Sequence, residues 1–336
     1  MRRGMASPLF IVGNDRSGTT MLRLVLDRSP EIAIPPESMF LTDFAGRLTA
    51  GGPADAAAAQ ALADEVWAHP KVQLWRLRGA APRVPAGLLG ADAYRFAVEA
   101  PFAAYAALHG KPRWGDKTPH YVHHVADLLA VWPEARVVVL VRDGRDVALS
   151  LRRMPFGPNN AWAAAQWWAR GIRAGMAAEA AHPAHVMTVR YEDLVSHPEA
   201  HVRAVCAFAG LAFEPDMLAL ELSDRSLIVE DQKTWFPTLF DGISTRSSGR
   251  WRSEMPPRAQ RIFAALAAPE LEALGYEVAP GSAATPISAR RARWLHFHNE
   301  LMRNVNFIRL RVFQERGREL RFALARRIRD PIKRAG

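Results

Sequence analysis

The chain has 336 residues, 49% of them apolar and 23% charged, which predicts a sizeable core in one large α/β domain or two smaller ones. Its single cysteine, Cys206, excludes an internal disulfide and lies in an apolar helical pattern, which favours a core position over a nucleophilic role. The net charge of +10 comes from residues 290–336, which contain 14 Lys and Arg but 4 Asp and Glu, so the neutral remainder lacks the charge of a nucleic-acid-binding surface.

The first predicted elements are a buried strand at Leu9–Val12, a loop bounded by Gly13 and Gly18, and a helix that ends near Asp27. The helix is indicated by apolar residues at helical spacing, at Met21, Leu22, Val25 and Leu26. Free N–H groups at a helix N-terminus attract anions, so this order of elements predicts a phosphate site. A tight turn, which occurs in any α/β protein, is the alternative.

The loop nearly matches the spacing of a Walker A loop, but Thr19 occupies the position of the lysine that reaches a β- or γ-phosphate. Arg16 and the hydroxyl groups that follow it remain available to an anion. These groups suit a nucleotide with one bridging phosphate better than they suit ATP.

A short strand is predicted at Glu31–Ile34, and Glu37 follows it directly, at the edge where open α/β sheets bind ligands. A carboxylate near a helix N-terminus is the alternative role for Glu37. Residues 40–110 form an insert that we expect to determine acceptor specificity. It contains two predicted helices, Asp55–Trp67 and Asp92–His109, the second broken or kinked at Pro101.

Lys117 lies in the segment Trp114–Pro119 and is either a surface residue in a loop or a replacement for the missing Walker lysine. His120, His123 and His124 come next. A histidine pair at this spacing suits a metal, but no second pair or H-E-x-x-H motif accompanies it, so structural or exposed histidines are favoured. A position of His120 facing the acceptor stays open.

The β-branched run at Arg136–Val141 predicts a central parallel strand, with Arg142 at its carboxyl edge. A helix that contains Ser150 is predicted to begin near Arg145, whose side chain we expect to pair with Asp143 or Asp146. Further predicted elements are a helix at Ala161–Ala181, a strand at Val186–Val189, and helices at Pro198–Gly210 and residues 256–277.

Residues 226–249 carry few regular signals and predict a mobile loop, with aromatic side chains at Trp235, Phe236 and Phe240. From Arg290 onward, apolar residues recur in steps of three and four at Trp294, Phe297, Leu301, Val305, Ile308 and Val312, and again at Leu320, Leu324 and Ile328. This pattern predicts one or two arginine-rich amphipathic helices. Such helices lie on anionic membranes or pack on a partner, and packing on the parent domain is equally open.

Two of these motifs, in this order, resemble the nucleotide-binding loops of sulfotransferases that use 3′-phosphoadenosine 5′-phosphosulfate (PAPS). Arg16–Thr20 (RSGTT) resembles their 5′-phosphosulfate loop, and Arg136–Ser150 resembles their 3′-phosphate loop. The resemblance extends from about Pro8 to Trp251 and weakens beyond that point.

The resemblance implies roles for individual residues. Glu37 becomes the catalytic base, and Lys117, in a segment similar to the family's DKTP motif, approaches the sulfate and the leaving phosphate together with Arg16. The implied PAPS ligands are Arg16, Ser17, Gly18, Thr19 and Thr20 around the phosphosulfate, Arg142, Ser150 and Arg250 around the 3′-phosphate, and Tyr191 of the YEDL segment near the adenine. Gly249–Trp251 resembles the segment that closes over PAPS.

The sequence therefore predicts a P-loop-like three-layer α/β/α domain with a central parallel sheet at residues 1–285 and a basic amphipathic helical tail at residues 286–336. The predicted activity is sulfuryl transfer from PAPS to a hydroxyl group of a carbohydrate, a lipid or another small molecule, releasing 3′-phosphoadenosine 5′-phosphate (PAP) and requiring no metal. A P-loop kinase and a non-catalytic nucleotide-binding peripheral membrane protein are the alternatives.

The expected partners are a small-molecule or glycolipid acceptor and no nucleic acid, with a membrane contact or a homodimer through residues 290–336 left open. No apolar stretch is long enough for a signal-peptide core or a membrane span. We therefore expect a cytoplasmic protein, with peripheral membrane attachment as the variant that the basic tail suggests.

Overall fold

The computed structural model of the chain describes residues 7–152, 154, 156–223, 239–278 and 287–313. The backbone forms two compact units, one made of Met1–Arg142 and Gly171–Ser248 and the other of Asp143–Arg170 and Gly249–Gly336. The division at residues 285 and 286 that the sequence suggests stays a prediction.

A parallel five-stranded sheet in the order β2-β3-β1-β4-β5 forms the centre of the first unit. The strands are β1 (Leu9–Gly13), β2 (Ile32–Ala33), β3 (Arg113–Lys117), β4 (Arg136–Val141) and β5 (Val186–Arg190). In the register of the central strand, Phe10 of β1 pairs with Asp116 on one side and with Val137 on the other. The carboxyl ends of β1, β3 and β4 therefore meet at one edge, where ligands bind in open α/β sheets.

The chain has the predicted three-layer α/β/α architecture. In chain order its helices are α1 (Thr19–Asp27), α2 (Leu41–Thr49), α3 (Ala56–Trp67), α4 (Pro70–Gln73), α5 (Gly90–Leu108), α6 (Val125–Val131), α7 (Gly144–Leu151), α8 (Ala161–Ala181), α9 (Tyr191–Ser196), α10 (Pro198–Ala209), α11 (Trp251–Glu254), α12 (Pro257–Ala273) and α13 (Ala289–Phe313). A 3₁₀ helix at Pro119–His124 precedes α6.

The alternation of side chains along β1 divides the core between the two faces of the sheet. Leu9 and Ile11 belong to a buried apolar cluster that also contains residues of α1, α9 and α10. Phe10 lies between Trp114 and Trp132, with ring centroids 5.8 and 5.4 Å away. Apolar layers on both faces explain why the strands on either side of β1 are buried along their length.

Most predicted elements are confirmed, among them the strands at Leu9–Val12 and Arg136–Val141 and the helix at Ala161–Ala181. No strand is predicted at Trp114–Pro119, yet Arg113–Lys117 forms the buried strand β3, so the alternative of Lys117 on a surface loop is wrong. The helix is not broken at Pro101, since α5 continues across this residue, and a kink there stays a prediction. The strand predicted at Glu31–Ile34 is shorter, with two residues in β2.

Cys206 is buried in α10, and burial raises the pKa of its thiol to about 11, in agreement with the predicted core position. Trp235 and Phe236 of the predicted mobile loop, and the tail positions Leu320, Leu324 and Ile328, lie outside the described residues. Of the helices within the described ranges, none has the length and apolarity that crossing a membrane requires.

Candidate active site

The loop between β1 and α1 has a backbone that accommodates little besides glycine at two positions. A Cβ on Gly13 (φ +145°) would lie 2.3 Å from the carbonyl oxygen of Leu140, and one on Gly18 (φ +95°) would lie 2.5 Å from the Tyr191 ring. Arg16 also adopts a positive φ, of 71°, which side chains rarely do. The loop is thus held in a strained, closely packed shape, as is common at functional sites.

The N-terminus of α1 opens directly from this loop. Its cap residue, Gly18, supplies no side-chain hydrogen bond, and the first turn contains no acidic residue. Ser17 is fully buried, and its Oγ has no hydrogen-bond partner among the described residues. A buried hydroxyl beside uncapped helix N–H groups is a site for an anion, because both supply donors and the helix dipole favours negative charge.

Lys117 connects this loop to Glu37. Its Nζ donates to Glu37 Oε1 at 2.6 Å and to Thr20 Oγ1 at 3.1 Å. The lysine side chain is 4% exposed and that of Glu37 is 25% exposed, so the ammonium is buried with its counter-charge while the carboxylate keeps contact with solvent. A cation, a carboxylate and a hydroxyl of the phosphate loop therefore meet at the carboxyl end of β3.

A buried polar network lies directly behind this contact, and no motif in the sequence indicates it. Asp116 Oδ1 accepts from the Ser38 N–H at 3.4 Å and from Thr118 Oγ1 at 3.3 Å. Ser38 Oγ lies 3.0 Å from the Tyr121 hydroxyl, which in turn accepts from the Leu41 N–H at 3.0 Å. The network joins Ser38, which follows Glu37, to Asp116, which precedes Lys117.

Complete burial raises the pKa of Asp116 to about 7, more than its hydrogen bonds and the neighbouring Lys117 lower it. Burial likewise raises the pKa of Tyr121 well above its ordinary value. Met39, at the start of the segment after Ser38, has a positive φ of 56°. The backbone beside Glu37 is therefore constrained both by buried hydrogen bonds and by local strain.

Arg142 is at the carboxyl end of β4, beside the phosphate loop. Its guanidinium donates to the carbonyl oxygens of Arg16, at 2.9 Å, and of Ser247, and lies 4.7 Å from the centre of the Tyr191 ring. Ser248 Oγ, one residue further on, is buried without a hydrogen-bond partner among the described residues. Arg142 thus brings the Arg16 loop and the 247–248 segment together.

The charge of Arg142 also acts on Arg16. Burial lowers the pKa of the Arg16 guanidinium, and Arg142 lowers it further, against the opposing effects of Asp15 and Glu37. Two neighbouring cations are unfavourable without an anion between them, so the pair is arranged to receive negative charge.

The second unit contains the other two predicted ligands, Ser150 on α7 and Arg250 before α11. Ser150 is partly exposed. The Arg250 guanidinium makes two hydrogen bonds of 2.7 Å to the Glu254 carboxylate, and these bonds raise the pKa of Arg250. Asp146 fixes the segment around Arg250, because its carboxylate accepts from the N–H groups of Gly249, at 2.7 Å, and Trp251, at 2.8 Å.

The residues at the start of α7 pair as predicted. Arg145 donates to both carboxylate oxygens of Asp143, at 2.9 and 2.7 Å, and its guanidinium lies 3.4 Å from the centre of the Trp251 ring. The Arg145 guanidinium is therefore bound to Asp143 and packed on Trp251 within the second unit, which is the structural ion-pair role expected for it.

The sequence of the chain is similar to that of a known protein family. Residues 8–215, more than half of the chain, match the Sulfotransferase family. The chain belongs to this family.

The chain is 28% identical over 304 residues to the nodulation protein NoeE of Sinorhizobium fredii, covering 80% of this chain and 65% of that protein. It is 26% identical over 281 residues to protein-tyrosine sulfotransferase 1 of Danio rerio, covering 80% of this chain and 72% of that one. The sulfotransferase domain of the Synechococcus PCC 7002 olefin synthase has the same fold, with 24% identity, a TM-score of 0.55, and coverage of 83% of this chain and 99% of that chain.

The structure brings most of the predicted site residues together in the first unit: Arg16, Ser17, Gly18, Thr19, Thr20, Glu37, Lys117, Arg142 and Tyr191. Tyr191, predicted near the adenine, packs against Gly18 and beneath Arg142. Its ring therefore supports the phosphate loop from the side of β5.

Three histidines, His120, His123 and His124, lie along the 3₁₀ helix after β3. His120 and His123 are exposed, and His124 Nδ1 is 3.0 Å from Asp127 Oδ2. Within the described ranges, no cluster of three or more His, Cys, Asp or Glu side chains has the arrangement of a metal site.

Proposed function

We propose that the protein transfers a sulfuryl group from PAPS to an acceptor hydroxyl, with Glu37 as the general base. The observation that supports this best is the contact of Lys117 with both Glu37 and Thr20, which places a carboxylate, a cation and the phosphate loop side by side. In the proposed step the acceptor oxygen bonds to sulfur while the bond from sulfur to the bridging phosphate oxygen breaks. The hydroxyl proton passes to Glu37.

The residues of the phosphate loop fit a nucleotide that carries one bridging phosphate. The close approach at Gly13 and Gly18 and the N-terminus of α1, which has no side-chain cap, form a cradle of donors for an anion. The Ser17 hydroxyl, which has no hydrogen-bond partner among the described residues, adds to this cradle. PAPS supplies the transferable sulfuryl group when it is bound. Arg16 and the segment Ser17–Thr20 would hold its 5′ end.

Arg142 is the proposed ligand of the 3′-phosphate in the first unit, since a guanidinium binds phosphate through two parallel donors. Tyr191 is proposed to keep Arg142 and the loop in place from below. Ser150 and Arg250 keep the 3′-phosphate roles that the sequence predicts.

Lys117 is proposed to change partners during the reaction. Its ammonium bonds to Glu37 and Thr20 in the structure, and negative charge that develops on the leaving phosphate beside Thr20 would compete for it. As the phosphate draws the ammonium, the Glu37 carboxylate is left to accept the acceptor proton. Lys117, Arg16 and the loop hydroxyls then neutralise the leaving group, so the proposal requires no metal.

The acceptor is proposed to be a small molecule, a carbohydrate or a glycolipid with a free hydroxyl group. The fish relative is a protein-tyrosine sulfotransferase, and a phenolic hydroxyl satisfies the same chemistry. The proposal includes a cytoplasmic location and a contact of residues 290–336 with a membrane or a second copy. The family match favours sulfuryl transfer over the kinase and the non-catalytic alternatives.

Calorimetric titration of the purified protein with PAP, and separately with ATP and Mg²⁺, tests the donor. We expect saturable binding of PAP and no heat of binding for ATP with Mg²⁺. Binding of ATP without binding of PAP would overturn the proposal and favour the kinase alternative.

A further inference from the structure

One face of helix α13 packs on the rest of the second unit and forms hydrogen bonds with it. Leu295 and Asn299 are each 7% exposed, and Asn306 continues the same face two turns later. Asn299 Oδ1 accepts from the Asn159 N–H at 2.8 Å, and Asn306 Nδ2 donates to Asn159 Oδ1 at 2.7 Å. The Leu295 carbonyl accepts from Asn160 at 2.8 Å. These contacts fix the rotation of the helix about its axis.

Four large apolar side chains lie along another face of α13 and are exposed to solvent. Trp294 is 59% exposed and Phe297 63%, while Leu301 is 48% and Ile308 58% exposed. Their spacing of three, four and seven residues aligns them in one row, which we call the outer stripe. Because Trp294 and Phe297 are neighbours of the anchored Leu295, the contacts that bury Leu295 keep both rings turned outward.

Positive charge lies at the N-terminal end of the outer stripe. Arg290 and Arg293 are exposed and lie one turn before Trp294 and Phe297, on the same row of the helix. The single acidic residue of α13, Glu300, is paired with Arg303 at 2.8 Å. The whole basic excess of the protein lies in residues 290–336.

We propose that the outer stripe of α13 docks on an anionic lipid bilayer, with the helix lying in the plane of the surface. Trp294, Phe297 and the aliphatic side chains would enter the boundary between headgroups and acyl chains. Arg290 and Arg293 would pair with lipid phosphates at the level of the headgroups. From Trp294 to Ile308 the stripe extends over roughly 21 Å of helix, enough for several lipid headgroups.

A second copy of the chain fits this surface less well. Two copies facing each other would bring together two tails that each carry an excess of ten positive charges, which repel. A stable dimer also buries about 800 Å² on each partner, more than one row of four side chains on one helix provides. An anionic bilayer complements both the charge and the linear shape of the stripe.

Vesicle sedimentation of the full chain tests the proposal. We expect the protein to bind vesicles that contain phosphatidylglycerol at least about tenfold more tightly than vesicles of phosphatidylcholine alone, and to lose this preference in high salt. Trp294→Ser combined with Phe297→Ser should reduce binding at least tenfold. Unchanged binding of this variant would overturn the proposal.

The control variant combines Leu108→Ser and Leu222→Ser, which remove two large apolar side chains that are 53% and 70% exposed outside α13. It should bind vesicles like the wild type. Thermal unfolding of each variant verifies that the protein is folded. If sedimentation velocity without vesicles shows a dimer that the Trp294 and Phe297 variant dissociates, the stripe is a self-association surface and the bilayer proposal is wrong.

Discussion

Lys117 Nζ lies 2.6 Å from Glu37 Oε1, so the residue proposed to neutralise the leaving group is bonded to the proposed base. The two residues are 80 positions apart in the chain and reach the same point from β3 and from the segment after β2. The pair explains how a buried lysine is tolerated at the end of a central strand.

Glu37→Gln tests the base directly. The amide keeps an oxygen that accepts from Lys117 but does not take up a proton from the acceptor, so we expect turnover to fall by about a hundredfold or more. The affinity for PAP, measured by calorimetry, should stay near that of the wild type. Glu65→Gln is the matched control, because Glu65 forms an exposed pair with Arg47 and should leave turnover unchanged. Normal turnover in the Glu37 variant would remove this residue from the mechanism.

Lys117→Met tests the proposed change of partner. The substitution keeps much of the buried aliphatic volume and removes the charge, so we expect weaker PAP binding and a loss of turnover of about a hundredfold or more. Lys111→Met is the matched control, since Lys111 is also largely buried and pairs with Asp27 at 3.7 Å. Both variants should lose stability, and only the Lys117 variant should lose PAP affinity. Equal loss of PAP affinity in both variants would contradict the assigned role.

The phosphate loop gives a third prediction. Gly18→Ala places a methyl group 2.5 Å from the Tyr191 ring at a φ of +95°, so we expect a loss of about 1–3 kcal/mol of stability and of most PAP binding. Gly210→Ala has a similar backbone requirement, with φ +64°, but within the described part of the chain the new Cβ has no atom within 4 Å beyond its immediate chain neighbours. It should lose about 1–2 kcal/mol and retain PAP binding. Urea unfolding and calorimetry measure the two effects separately.

The sequence predicts the sheet where its strands are apolar. β1 and β4 are continuous apolar runs because both faces of the sheet are covered, and buried parallel strands have this composition. β3 contains Arg113, Asp116 and Lys117, whose side chains form hydrogen bonds with distant segments. Arg113, for example, donates to the carbonyl oxygens of Gly210 and Ser7. Local sequence patterns do not reveal such partners, so no strand is predicted here.

The candidate site likewise contains residues that the sequence indicates and residues that only the structure reveals. Glu37 and Lys117 were identified because their surrounding motifs resemble those of a family, and their direct contact depends on the fold. The network behind them joins Ser38 to Asp116 and Tyr121, which lie 78 and 83 positions after Ser38 in the chain. Serine, aspartate and tyrosine at such separations give no periodic signal. Only the order of the strands shows that they meet.

Asp116 makes the network sensitive to pH. Its pKa is about 7 in the folded protein and 3.8 for an ordinary aspartate, so between these values the folded protein holds a proton that the unfolded chain has released. The free energy of unfolding should therefore fall as the pH rises from about 4 to about 7, and this loss should persist at higher pH. Asp116→Asn removes the titrating proton and keeps an oxygen that accepts from the Ser38 N–H.

We therefore expect the stability of Asp116→Asn, relative to the wild type, to rise between about pH 4 and pH 7, by up to a few kcal/mol. Urea unfolding at several pH values measures this difference, and Asp64→Asn, at an exposed position, reports the effect of surface charge alone. A difference between Asp116→Asn and the wild type that does not change with pH would contradict the raised pKa of Asp116.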